Sequence, residues 1–342
     1  MKKINFDWPI LGHQNIVSFL KKAILNKKVA QAYLFWGPGD IGKTTLVKYF
    51  AQSLLCKNFK EKIEIKVIPC DLCQPCQMFK KRIHPDVIWL FPKEDKKNIS
   101  VEQIREIKPK IFYSSFLDSY KIVIIKEAHR LSQGGANALL KILEEPAKKT
   151  IFILLAEDIS FLPTTIVSRC QVIKFFPVSQ DIIFHYLVEK IGIKREEADF
   201  YSRLSFGRPG LAINFSTSKE SIEGYKENIK NLIKIFEGNP GERLEIAESL
   251  VKNYQDFNEL IKNLKIILDH WLIFVRDIAF YQNLSRDLIV NIFWEEKIKK
   301  IAESYSKEEI KKIILALEKI KKDFSLNINP RLLLENFLIN YF

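Results

Sequence analysis

The sequence predicts an α/β domain built on a parallel five-stranded sheet, followed by regions that are helical throughout. Three observations predict it. Five short apolar runs, 32–36, 86–91, 121–126, 151–156 and 171–176, alternate with segments of helical periodicity. That alternation marks strands covered by helices on both faces. The first run leads directly into a glycine-rich loop and then an amphipathic segment. After Pro177 the strand-like runs stop, and all later patterning is helical.

Length and composition set the outer bounds. The chain has 342 residues, 47% of them hydrophobic, with a net charge of +13. That is enough for two or three domains at roughly 100–200 residues each, and enough apolar surface to exclude wholesale disorder. The basic balance fits an anionic partner such as nucleic acid, or a lysine-rich solvated surface, since the lysines are scattered rather than blocked. The first nine residues hold no apolar signal core. The most apolar stretch, 264–281, is interrupted by Asp269, His270, Arg276 and Asp277, too polar to span a bilayer. A cytoplasmic protein with no membrane partner is expected, so its five cysteines suit metal binding or burial better than disulfides.

In chain order, 13–26 reads as an amphipathic helix with Ile16, Phe19, Leu20 and Ile24 on one face. The strand at 32–36 precedes Gly37, Pro38, Gly39, Asp40, Ile41, Gly42, Lys43, Thr44 and Thr45, with a helix expected over 45–55. Strand, glycine loop, Lys-Thr and helix form the P-loop context. The glycines let backbone N–H groups close on a phosphate at a helix N-terminus. Lys43 is then expected to reach the β- and γ-phosphates, and Thr44 to face Mg2+. A polar, cysteine-rich interruption follows at 56–82. Ser100 and Gln103 have capping-box spacing and open a helix through Ile104, Ile107 and Ile111. Another helix is expected at 134–143. Residues 179–215 read as two or three short helices broken at 207–210, 216–220 as a linker, and 221–342 as helices with breaks near 238–241, 283–285 and 305–306.

Cys70, Cys73 and Cys76 stand at C-x-x-C-x-x-C spacing, with Cys56 upstream. Four thiolates suit a tetrahedral zinc ion with no open position, hence a structural role. An iron–sulfur cluster and free thiols are the alternatives. His84 reads as structural rather than a fifth ligand, and Cys170 as buried. The segment lacks the flanking basic helix of a DNA-reading finger, which argues against a zinc-dependent nucleic-acid binder acting alone.

Several motifs, in order, resemble the bacterial DNA polymerase III clamp-loader family. They are Gly12-His13-Gln14; Gln31 to Phe35 running into the P-loop; the cysteine cluster; Ser132 to Pro146; and Ser168-Arg169-Cys170. They cover about the first 177 residues. The resemblance implies an AAA+-type P-loop domain at 1–177 with a zinc module at about 56–82. It also implies a small helical lid at 178–216 and a helical collar at 221–342 that joins other subunits in a hetero-oligomeric ring. That complex places the sliding clamp on primed DNA. The resemblance further implies that Arg169 points out of its own subunit and serves as an arginine finger in trans, although a helix-capping role also fits its spacing.

Two branches of the family differ at three places. Motor subunits, gamma and tau, end the strand at 122–125 in Asp-Glu, whereas this chain has Lys126-Glu127. A lysine there repels Mg2+ by on the order of 4 kcal/mol per like pair at ~4 Å and an effective dielectric near 20, unless Lys126 turns outward. Glu127 is then a vestigial Walker B carboxylate. Motor subunits resemble Ala-Thr-Thr-Asp after the next strand, where this chain has Ala156-Glu157-Asp158. Their lid arginine corresponds to Gly210, with Arg208 displaced by two residues. These departures favour the delta prime branch, a stator with weak or absent ATPase activity. ATP or ADP can then be held mainly by the loop, with Mg2+ poorly held. An ATP-hydrolysing motor subunit is the alternative within the family. A P-loop small-molecule kinase is the alternative outside it, but acceptor-binding residues for one are not identifiable.

Overall fold

The computed structural model describes residues 5–60, 67–93, 98–113, 115, 120–252, 254, 256–324 and 328–342. Compact units divide at 1–186 with 205–211, and 187–204 with 212–342.

The first unit opens with β1 (Asn5–Phe6), α1 (Gln14–Leu25) and β2 (Ala32–Trp36). Then come α2 (Lys43–Leu55), α3 (Lys57–Lys60), β3 (Val67–Ile68), α4 (Gln74–Lys80) and β4 (Val87–Leu90). It continues through α5 (Val101–Phe112), β5 (Lys121–Ile125), α6 (Gln133–Glu144), β6 (Thr150–Ala156), α7 (Thr164–Val167), β7 (Gln171–Lys174) and α8 (Gln180–Tyr186). The main sheet has the order β4-β5-β6-β2-β7 with every pairing parallel. Successive residues point to opposite faces, so each strand feeds both cores. Tyr33, Phe35, Ile122, Ile124, Ile151 and Ile153 pack with Leu46, Phe50 and Leu54 of α2 on one side. Leu34, Val123, Ile125, Phe152 and Leu154 pack with Ile104 of α5 and Leu139 of α6 on the other. This two-sided burial is why the runs read as continuous apolar stretches.

All strands being parallel, their carboxyl ends share one edge. Gly37, Lys126, Glu127, Glu157 and Phe175 therefore emerge together. β6 lies between β5 and β2, which puts Glu157 between the P-loop and the end of β5.

The second unit holds Leu187–Ile191 as a π-helical turn and α9 (Arg195–Leu204). α10 (Pro209–Thr217) begins in the first unit and ends in the second. Then follow α11 (Lys219–Glu237), α12 (Pro240–Val251), α13 (Phe257–Gln282), α14 (Glu295–Ser304), α15 (Lys307–Asp323) and α16 (Pro330–Tyr341). Trp271, Phe274, Leu264 and Leu268 of α13 are buried. No helix among the described residues is long and apolar enough to cross a membrane.

Three expectations need correction, and one pairing was not anticipated. Residues 216–220 are not a linker: α10 runs to Thr217, and Ser218 caps α11 by accepting the Ser221 N–H. Ser216 and Thr217 hydroxyls bond back to the Ile213 carbonyl, so side chains that suggested a loop close a helix instead. The α2 helix begins at Lys43 rather than Thr45, because Gly42, at φ +103°, turns the chain directly into it. Phe19 is exposed while Val17 and Ala23 are buried, a rotation of the α1 face. The pairing of β1 with β3 inside the cysteine-rich interruption went unforeseen, since two-residue strands leave no periodicity.

Candidate functional site

The P-loop is built by backbone geometry that few residues tolerate. Gly37 has φ +146°, and a Cβ there lies 2.6 Å from the Phe175 carbonyl oxygen. Phe175 in turn donates its N–H to Trp36, tying the loop entry to the end of β7. Ile41 is buried in the core beneath the loop. His13 braces the outside: Nε2 lies 3.1 Å from the Ile41 carbonyl, so that nitrogen carries the proton, and the ring packs on Phe175 at 4.8 Å.

Lys43 is buried and donates from Nζ to the carbonyls of Gly37 and Pro38, each at 2.6 Å. Burial pushes its pKa below the ordinary lysine range, opposed by the charges of Glu157 and Asp40. Glu157 lies against the loop, its Oε1 2.9 Å from where a Cβ on Gly39 would stand. Gly210 donates its N–H to the Asp40 carbonyl at 2.8 Å, and a Cβ on Gly210 meets that same oxygen at 2.8 Å. Gly210 is therefore packed against the loop.

At the end of β5, Lys126 extends its ammonium over the Trp89 ring at 5.6 Å. Burial lowers its pKa, and the neighbouring charges of Arg82 and Lys48 lower it further. Glu127 takes a left-handed conformation, φ 51°, and its carboxylate accepts from Arg130 at 2.6 Å. The Glu-x-x-Arg spacing was the available signal for that pair.

Arg169 is exposed. It donates to the Thr165 carbonyl at 3.0 Å, closing α7, and to Glu144 at 2.7 Å. The capping contact is thus present. An exposed pair of this kind contributes about 0–1 kcal/mol, so it holds the guanidinium weakly. Glu144 was not singled out as its partner from sequence, since contacts 25 residues apart leave no local signal.

The sulfurs of Cys56, Cys70, Cys73 and Cys76 all lie within 4.8 Å of one another. Cys56 ends α2, and Cys73 caps α4. The Cys73 N–H donates to the Cys70 sulfur at 3.4 Å. Gln52 of α2 docks the segment by donating to Asp71 at 2.8 Å. Hydrogen bonding, chiefly from Cys76, pulls the Cys56 thiol below its ordinary range, and the Cys76 thiol is pushed up by the same close pair. Four thiols on one point fit a single metal ion, whose ~2.3 Å Zn–S bonds put sulfurs ~3.8 Å apart. A multi-iron cluster binds its thiolates to different irons and spreads them further. His84 stands outside this group, its Nδ1 accepting the Asp86 N–H at 3.2 Å. Cys170 is half-buried, and burial raises its thiol to about 11.

Comparison with known proteins gives a consistent set of relatives. A family model described as "DNA polymerase III, delta subunit" matches residues 12–179. Subunit gamma of Buchnera aphidicola subsp. Schizaphis graminum is 29% identical over 347 residues, covering 96% of this chain and 93% of that protein. Subunit delta' of Bacillus subtilis is 26% identical over 324 residues, covering 95% and 94%. Over nearly its whole length the chain is thus similar to subunits of DNA polymerase III. Subunit tau of Bacillus subtilis is 28% identical over 348 residues, and the chain spans 59% of that protein's length. The family match covers the P-loop, the cysteine cluster, Lys126-Glu127 and Arg169.

Proposed function

We propose that this chain is the delta prime type of clamp-loader subunit, a stator in a hetero-oligomeric ring that loads the sliding clamp onto primed DNA. The observation that carries the reading is the end of β5. A lysine stands where a motor subunit holds Mg2+ with aspartate, and the following glutamate is paired with Arg130. A carboxylate bonded to a guanidinium is a poor base for activating water. In this reading the chain's own ATPase activity is weak or absent. Arg169 supplies charge stabilisation to the γ-phosphate bound by a neighbouring motor subunit. Its exposure and weak tether support that role. Cys56, Cys70, Cys73 and Cys76 hold a structural zinc ion that ties the α3–α4 segment to α2. The P-loop holds ATP or ADP through its backbone and Lys43. The division into 1–177, 178–216 and 221–342 as P-loop domain, lid and collar is part of the same proposal.

The second reading, an ATP-hydrolysing gamma or tau subunit, is favoured by the intact P-loop and by the gamma and tau relatives. Hydrolysis by the purified chain, with and without Mg2+, separates the two when set beside Lys126→Asp. Negligible turnover in the unmodified chain supports the stator. Robust Mg2+-dependent turnover overturns it.

A further inference from the structure

We propose that Glu157 makes the P-loop selective for nucleoside diphosphate over nucleoside triphosphate. This rests on the reading of the loop as a nucleotide site. In any P-loop the backbone N–H groups cradle the inner phosphates, and the lysine ammonium spans the β- and γ-phosphates. The terminal phosphate is thus the group that shares the ammonium with whatever other anion faces it. Here that anion is part of the protein. The Glu157 carboxylate reaches back from the end of β6 to within 2.9 Å of the position a Cβ on Gly39 would occupy. It is the largest charge favouring protonated Lys43, ahead of Asp40.

Topology explains why this side chain reaches the loop from a neighbouring strand. Trp36 pairs with Ala156 in the parallel register, so residue 157 stands beside Gly37 at the same sheet edge. The Gly37 N–H donates to the Ala156 carbonyl at 3.2 Å and keeps the two chain segments together. Asp158 is turned elsewhere, its carboxylate accepting the Ser160 N–H at 2.8 Å. A diphosphate fills the cradle at the start of α2 and leaves Glu157 in place. A triphosphate brings about one further negative charge, and a bulkier terminal group, to the ammonium that Glu157 already faces, and one of the two anions must withdraw.

Calorimetric titration of the full chain with ADP and with ATP, in the absence of Mg2+, tests this. The unmodified chain is expected to bind ADP about tenfold or more tighter than ATP, the scale of one screened charge pair. Glu157→Gln, which keeps the shape of an exposed side chain, is expected to bring the two affinities together, chiefly by tightening ATP. Glu157→Thr is expected to do the same. Asp158→Asn makes the same change in net charge one residue away and is expected to leave the ratio unaltered. Equal affinities in the unmodified chain overturn the proposal while leaving the nucleotide site standing. Equal tightening of both nucleotides by Glu157→Gln, or an identical response to Asp158→Asn, also overturns it. Failure of every form to bind either nucleotide overturns the nucleotide reading and this proposal with it.

Discussion

The cysteine cluster and the P-loop lie at opposite ends of α2, yet their polar groups are arranged differently. Four sulfurs converge within 4.8 Å, and the cationic neighbour Lys80 pairs with Asp71 at 2.8 Å rather than with a sulfur. In the P-loop the charged groups find partners inside the protein. Lys43 bonds its own loop, Glu157 lies against Gly39, and Gly210 donates to Asp40. The first arrangement leaves its donors turned to a common point, which suits a cation that stays bound. The second bonds its lysine internally, so a phosphate must draw Lys43 away from the Gly37 and Pro38 carbonyls. A fold can thus keep the residues of a site while changing how readily it is used.

The largest effect expected is on the cluster side. Cys76→Ser, or exhaustive chelation, should remove one zinc per chain and destabilise the protein by several kcal/mol, since metal binding is coupled to folding at structural sites. Metal analysis with a thermal melt checks this. A metal-free chain with an unchanged melt would break the contrast between the two ends of α2.

Next in size is Arg169. In a reconstituted loader, Arg169→Ala is expected to lower ATP turnover by ~10³-fold while leaving the melt of the isolated chain within about 1 kcal/mol of the original. A normal turnover would leave only the α7 capping role.

Acid loss of stability must be apportioned before it is credited to zinc release. His270 is buried, and burial lowers its pKa to about 4 from 6.5. The unfolded chain therefore binds the extra proton between those values. Stability from this group is complete above pH 6.5 and is lost as pH falls towards 4, by about 3 kcal/mol in all. His270→Gln should flatten that part of the urea-derived stability profile between pH 7 and 4. Any remaining slope then belongs to the metal site and other groups.

The smallest effect expected is at the P-loop. Gly210→Ala forces a methyl against the Asp40 carbonyl and should cost about 1–2 kcal/mol, net of the better helix propensity of alanine. A neutral or stabilising result would mean that α10 does not pack on the loop, and would weaken the picture of an internally satisfied site.

Much of this was legible in sequence wherever the signal is local. The strands of the main sheet were found because residues such as Phe152 and Ile124 are buried on both faces and form unbroken apolar runs. The Ser100 capping box was found because both partners lie within four residues. The cysteine cluster was visible because x-x spacing lets sulfurs meet by way of one short turn. What escaped was contact between distant segments. Arg169 with Glu144, His13 with Ile41 and Gly210 with Asp40 each join residues brought together only by strand order.

By itself, then, the sequence determined the alternation of strands and helices, the glycine-rich loop with its lysine, the set of four thiols and the lysine at the end of β5. These follow from periodicity, φ preference and side-chain chemistry, which act over a few residues. Tertiary structure alone decided that β6 lies between β5 and β2, and hence that Glu157 faces Lys43. It also decided that Arg169 is tied to Glu144 and that α10 starts against Asp40. The physical reason is that charge and hydrogen-bond partners are chosen by distance in space, and distance in space is set by how the sheet is wound.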